Sequence, residues 1–257
     1  MTPLLVDADQ LFRRPFRRSQ GFTVRTGVLL LVVFGLARVA LVLQANVTAS
    51  YQLVSVVFVA MALLPWVLLS RSGRRRIGLV KPTRWRWIPA AVLAGVLACG
   101  VAYAAFLAIW GDSTSNPFVY IARSYSNVPT SMTLDDRLIY FAIYAAVGMT
   151  FSPIGEELLY RGIAHESLAT SLGNRTAALI DAAAFALVHL AHFGIVYVAG
   201  VWSFLAVPAT VWVGAMFFSA LMFFGFRALT GSLAGAIAAH ASFNLALNAI
   251  IFFLVLR

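Results

Sequence analysis

Charge is scarce in this chain, and acid is scarcer than base: nine Asp and Glu stand against 19 Lys and Arg in 257 residues, with 61% of the chain hydrophobic and only 11% charged. Soluble domains carry about 25% charged and 45–50% apolar residues. A fold solvated mainly by water is therefore excluded. Cysteine occurs once, at Cys99 within an apolar run, which excludes an intramolecular disulfide and a cysteine-based metal cluster and leaves packing as its role. The His-Glu-x-x-His pattern of helical zinc proteases is missing, as are internal repeats and low-complexity linkers. The first 26 residues lack an apolar core followed by a small-residue cleavage site, so no removable signal peptide is expected. One membrane domain, 27–257, preceded by a basic segment, 1–26, is the economical division.

What the chain does have is long uncharged runs. Several approach or exceed the roughly 20 residues that cross a hydrocarbon core of about 30 Å. Backbone amides in lipid must be satisfied internally, so the runs read as helices. The predicted fold is all-α and polytopic. Spans are expected near Gly27–Thr48 (interrupted by Arg38), Leu53–Ser70, Ile88–Trp110, Leu138–Leu168, Thr176–Phe193, Val207–Phe226 and Leu233–Leu256. The stretch Gly194–Val207 reads as an eighth short span or as a helix lying in the interface, which leaves seven or eight transmembrane helices.

The basic residues are unevenly placed. Arg13, Arg14, Arg17, Arg18 and Arg25 precede the first span, and Arg71, Arg74, Arg75, Arg76, Lys81, Arg84 and Arg86 fill the second loop. The third loop holds only Arg123 and Arg137, against Asp112, Asp135 and Asp136. The positive-inside rule then puts the N-terminus and the 71–86 loop in the cytoplasm. Contact with anionic lipid accounts for these clusters where they abut spans, so nucleic acid is not an expected partner.

Ionisable groups inside spans cost several kcal/mol unless paired or wet, and they mark functional sites. They are Arg38, the segment from Glu156 to Arg161, Asp181, His189 with His192, and His240 with Asn244. Glu157 and Arg161 are four apart and share a helical face, whereas Glu156 is turned about 100° away and lacks that partner. A carboxylate without a counter-ion in a poorly solvated place suits a general base, and unlike neighbours suggest divided roles. The bland alternative makes both glutamates structural, bridging helices through Arg161 or Arg38. Phe185 and His189 share a face, and so do His240 and Asn244, whose imidazole and carboxamide can donate to a developing oxyanion or merely link helices. His192 sits nearer its span end and reads as interfacial. Asp181 and Arg38 read as scaffolding. At about 1.5 Å per residue, Glu156, His189 and His240 each lie on the order of 15–25 Å from a cytoplasmic helix end, so they can meet in mid-membrane. Pro153 and Gly155 permit a helix break just before Glu156.

Glu156-Glu157-x-x-x-Arg161, Phe185-x-x-x-His189 and His240-x-x-x-Asn244, in that order, resemble the motifs of the CPBP (Abi) family of intramembrane proteases, which includes the type II CAAX prenyl endopeptidases. The Thr230-Gly231-Ser232 turn is also similar, and the resemblance covers about 138–250. It implies a helical membrane fold with a hydrophilic cavity opening toward the cytosolic side. It further implies that Glu156 activates water with His189, that His240 and Asn244 stabilise the oxyanion, and that Glu157 and Arg161 brace the site beside Phe185.

Members of that family are described both as metalloproteases and as metal-free glutamate proteases. A zinc site would draw on Glu156, His189 and His240, three protein ligands with an open position. Asn244 is a poor zinc ligand and a good hydrogen-bond donor, which favours the metal-free form with no cofactor. The expected partners are the bilayer and a membrane-associated or lipid-modified protein or peptide substrate. A proton- or ion-coupled transporter, or a non-catalytic immunity or scaffold protein, is the alternative function; a transporter would show an internal repeat with paired broken helices.

Overall fold

The computed structural model describes residues 11–16, 21–125, 128–129 and 131–256; Arg17 and Arg18 of the basic segment lie outside the described residues. Helix α1, Val24–Thr48, starts at Thr23, whose hydroxyl accepts the Thr26 amide at 3.2 Å. Such a cap satisfies one of the amides that a helix start leaves free. The chain returns along α2, Gln52–Leu68, and passes through the short basic helix α3, Arg71–Arg76. It recrosses in α4, Trp87–Trp110, and the connection beyond it contains α5, Pro117–Ala122.

Helix α6, Leu134–Glu157, opens on a capping box between Thr133 and Asp136 and runs unbroken through Pro153 and Gly155. The break expected before Glu156 is therefore absent. Gly155 serves close approach instead: a Cβ there would collide with the Phe58 carbonyl of α2. The irregularity comes just after the glutamates, where Leu158–Ala164 widens into a π-helix, a feature that recurs at functional sites. Helix α7, His165–Val188, follows and bends back at Gly173, whose φ of 76° and ψ of 160° suit a residue without Cβ. The last long helices are α8, Ala206–Thr230, and α9, Leu233–Ile250, which ends in a second π segment, Ile251–Val255.

Large apolar side chains point outward: Leu36 on α1 is 65% exposed, Val101 on α4 68% and Phe218 on α8 69%. That inverts the pattern of a soluble bundle and matches a lipid-facing surface. Five helices are long and apolar enough to cross a membrane, at Val24–Thr48, Trp87–Trp110, Leu134–Ala191, Ala206–Thr230 and Leu233–Val255, with Gln52–Leu68 a shorter apolar helix of 17 residues. The fourth and fifth expected spans are thus one 58-residue helical run folded at Gly173.

The stretch Gly194–Val207 is neither a span nor an interfacial helix. Strand β1, Ile195–Val198, pairs antiparallel with β2, Val201–Phe204. Ala199 and Gly200 between them both have positive φ, the backbone of a two-residue hairpin turn, and β-branched and aromatic residues fill the strands. The all-α expectation is corrected by this hairpin. Apolar periodicity could not reveal it, because a short uncharged run reads alike as helix or strand.

Candidate active site

Glu156 and Glu157 end α6, fully buried. Glu156 Oε1 is ion-paired with Arg38 Nη1 from α1, and Ser152, one turn earlier, donates its hydroxyl to Oε2 at 2.8 Å. The reading of Glu156 as lacking a counter-ion is therefore wrong. Helical spacing finds only local partners, and Arg38 lies 118 residues away. The same guanidinium donates through Nη2 to His189 Nε2 at 3.1 Å and to His192 Nε2 at 3.2 Å. His189 in turn donates Nδ1–H to the Phe185 carbonyl at 2.6 Å, so its Nε2 is the acceptor nitrogen. Arg38, expected to be scaffolding, stands at the centre of the cluster, and His192, expected to be interfacial, belongs to it.

Glu157 faces the other way. Its Oε1 accepts from Arg161 Nη1 at 3.1 Å and from His240 Nδ1 at 2.8 Å. The Arg161 guanidinium lies over the Phe185 ring at 4.4 Å and near Phe223 at 5.6 Å, where the ring faces favour a cation. Asp181 Oδ1 is 3.9 Å from Arg161 Nε, and Asp181 Oδ2 is 2.8 Å from His165 Nδ1. His165 was missed in the sequence because no second polar residue marks its helical face. This second cluster is dry: Glu157, Arg161 and Asp181 have no exposed side-chain surface.

His240 links the two clusters. Its Nδ1–H is committed to Glu157, its Nε2 lies 3.6 Å from Glu156 Oε2, and its ring stacks on Phe223 at 4.7 Å. Ser232 caps α9 by accepting the Ala234 amide at 3.1 Å, and Gly231 before it is left-handed, which sets where the helix carrying His240 begins. One turn beyond His240, Asn244 donates one amide N–H to the Gly148 carbonyl of α6 at 2.9 Å. A primary amide has a second N–H, so the helix–helix contact does not exhaust Asn244 as a donor.

A cavity of about 580 Å³ connects these groups; Arg38, Glu156, His189, His192, His240 and Asn244 all line it. From Glu156 it runs along Ser152, Gly148 and Tyr144 to Tyr51 and Tyr125, between the α1–α2 turn and the segment after α5. That end of the bundle is opposite the 71–86 loop. Burial pushes the Tyr51 hydroxyl up to about 12, so it remains a neutral donor, and it reaches Asn46 Oδ1 at 3.3 Å. Tyr125 donates to Asn248 Oδ1 at 2.9 Å.

Residues 138–246 match the family model described as type II CAAX prenyl endopeptidase Rce1-like. This segment is Rce1-like. No curated protein and no solved structure matches the chain. The matched segment includes Glu156, Glu157, Arg161, Phe185, His189, His192, His240 and Asn244, whereas Arg38 enters the site from outside it. Its apolar helices and this Rce1-like segment mark the chain as an integral membrane protein of the CAAX-endopeptidase type.

A zinc ion in the Rce1-like site would need Glu156, His189 and His240. Arg38 already engages Glu156 Oε1 and His189 Nε2, placing a fixed cation where the metal would go. His240 Nδ1 is taken by Glu157. Among the described residues no group of three or more His, Cys, Asp or Glu is gathered to hold a metal. The donor set as arranged does not fit zinc.

Proposed function

We propose that the protein is an intramembrane endopeptidase that hydrolyses peptide bonds with a water activated by Glu156, without a metal. The observation that carries the reading is the Glu156 carboxylate at the cavity wall, held from two sides by Arg38 and Ser152 while His240 stands 3.6 Å away. A general base must be positioned before it is useful, and both carboxylate oxygens here have a fixed orientation.

In this mechanism Glu156 takes a proton from water, and the resulting hydroxide adds to the scissile carbonyl carbon. His189 orients the water from the adjoining wall. The oxyanion accepts from the second N–H of Asn244 and from His240 Nε2, once that nitrogen holds a proton whose charge Glu157 balances. Glu156 then returns its proton to the leaving nitrogen as the C–N bond breaks. Glu157 and Arg161 hold the His240 ring, and Phe185 carries both the Arg161 guanidinium and the backbone carbonyl that orients His189.

The spans favour a reading with seven crossings: α1, α2, α4, the two legs of the 58-residue run on either side of Gly173, α8 and α9. The N-terminus and the 71–86 loop lie in the cytoplasm, since seven basic residues there outweigh two in the 111–133 connection and the start of α6. Comparative proteomics of protein termini tests the activity. Cells with the unaltered protein are expected to hold new termini that vanish with Glu156→Ala; identical sets of termini would remove the protease reading.

A further inference from the structure

The cavity and the charge pattern together say from which side this site is reached. Its walls reach one end of the bundle through Tyr51, Ser124, Tyr125 and Asn248. The other end is stoppered. Phe12, Leu69, Ile77, Leu158, Ile163 and Leu233 form a separate apolar cluster between the glutamates and the 71–86 loop, each of them 2% exposed or less.

Backbone hydrogen bonds tie that stopper shut. Ser70 N donates to Leu11 O at 3.0 Å and Arg13 N to Leu68 O at 2.9 Å, which clamps the N-terminal segment across the end of α2. Leu233 N donates to Gly78 O at 2.9 Å, and the Ser232 hydroxyl donates to Val80 O at 2.5 Å, which fastens the start of α9 to the same loop. The basic loop thus seals the end at which the positive-inside rule places the cytoplasm.

We propose that the substrate enters from the non-cytoplasmic end, so that this protein cleaves peptides already exported across the membrane or held in its outer leaflet, and not cytosolic chains. The inference rests on the protease reading for what happens at Glu156, and on the loop charges for which end is outside. It reverses the cytosolic opening that the motif resemblance implies.

The walls also limit what can enter. Between the mouth and the site the lining is Tyr, Ser, Asn, Val, Ile and Phe, and the only Asp, Glu, Lys or Arg in it are Arg38 and Glu156 themselves. A charged side chain drawn into this passage would find no opposite charge before the reaction centre, in a region of low water content. The segment that fits is therefore extended, uncharged and rich in apolar or aromatic residues, with the tyrosine rings as its contact surfaces. The reaction that supplies such a substrate is translocation of a polypeptide across the same membrane.

The test uses the full chain with Cys99→Ala and single cysteines at Ser72 beside the basic loop, Ser124 at the mouth and Ser55 inside the cavity. A membrane-impermeant maleimide is added to right-side-out and to inverted vesicles. Ser124→Cys and Ser55→Cys are expected to label in right-side-out vesicles and to be spared in inverted ones until detergent opens them; Ser72→Cys is expected to do the opposite. Labelling of Ser55→Cys only from the side that labels Ser72→Cys, or from neither side, overturns the proposal, as does labelling of Ser72→Cys from outside. The pattern is expected to persist with Glu156→Gln added, so a failure of proteolysis and a failure of access give separate results.

Discussion

Two clusters of polar side chains meet at the peptide bond between Glu156 and Glu157, one along the cavity and one walled off from it. The cavity cluster of Arg38, Glu156, His189 and His192 has an open side, and its charges can exchange partners with a substrate or with water. The enclosed cluster of Glu157, Arg161, Asp181 and His165 is packed among Tyr160, Phe185 and Phe223. It leaves Glu157 Oε2, Asp181 Oδ1 and two Arg161 nitrogens without a hydrogen bond among the described residues. Buried charges in that state depend on one another, because removing one member strands the rest. The comparison teaches that two consecutive carboxylates can divide chemistry from support: one is available because it is wet, the other is fixed because it is dry.

The largest effect is expected from exchanging the glutamates' chemistry one at a time. Glu156→Gln removes the proton acceptor while its amide oxygen can still accept from Ser152 and Arg38, so cleavage by purified protein falls to background and thermal stability in detergent changes little. Glu157→Gln removes the charge that faces Arg161 and is expected to cost about 3–5 kcal/mol of stability, the usual consequence of breaking a buried pair. Thermal melts and peptide-cleavage assays on both variants measure the contrast. Equal melting losses, or turnover retained in Glu156→Gln, would dissolve the division between the two clusters.

A smaller effect sharpens the cavity side. Asn244→Ala deletes the donor proposed for the oxyanion, which at other oxyanion holes costs about 2.7–4 kcal/mol, or 100–1000-fold in kcat. KM should move less, since the contact strengthens mainly in the transition state. A variant that loses stability and not kcat would reduce Asn244 to the helix contact it makes with Gly148. Activity is also expected to survive exhaustive chelation, because Arg38 already occupies the place of a cation.

The sequence carried the site further than it carried the fold around it. Glu156, Glu157, Arg161, His189 and His240 were legible because a charge or imidazole in a long apolar run has no cheap explanation, and three spaced pairs in order leave few alternatives. Their partners were not legible. Arg38 was visible as an anomaly in the first span, yet its pairing with Glu156 is set by how α1 packs on α6 and α7, which no local spacing encodes. The hairpin at Ile195–Phe204 was lost for a different reason, since its eight strand residues are as apolar as a helix turn and only the Ala199–Gly200 turn distinguishes it. The stopper at Phe12, Leu69 and Ile77 joins three distant segments of ordinary hydrophobic residues, and nothing marks them in advance.

The smallest predicted effect tests whether the enclosed cluster is support alone. Asp181 accepts from His165 at 2.8 Å and lies 3.9 Å from the Arg161 guanidinium, with no line to the cavity. Asp181→Asn keeps an oxygen for the His165 N–H and loses only the charge opposing Arg161. Glu157 and the Phe185 and Phe223 ring faces still hold that guanidinium. The expected cost is about 1–3 kcal/mol, the range for a buried polar group left imperfectly satisfied. It should be read as less folded protein in the membrane, with kcat per folded molecule unchanged. Active-site titration against total protein separates the two quantities. An abundant, well-folded Asp181→Asn protein with lost turnover would carry the chemistry across Arg161 into the dry cluster, and the boundary between the two glutamates would then have to be drawn elsewhere.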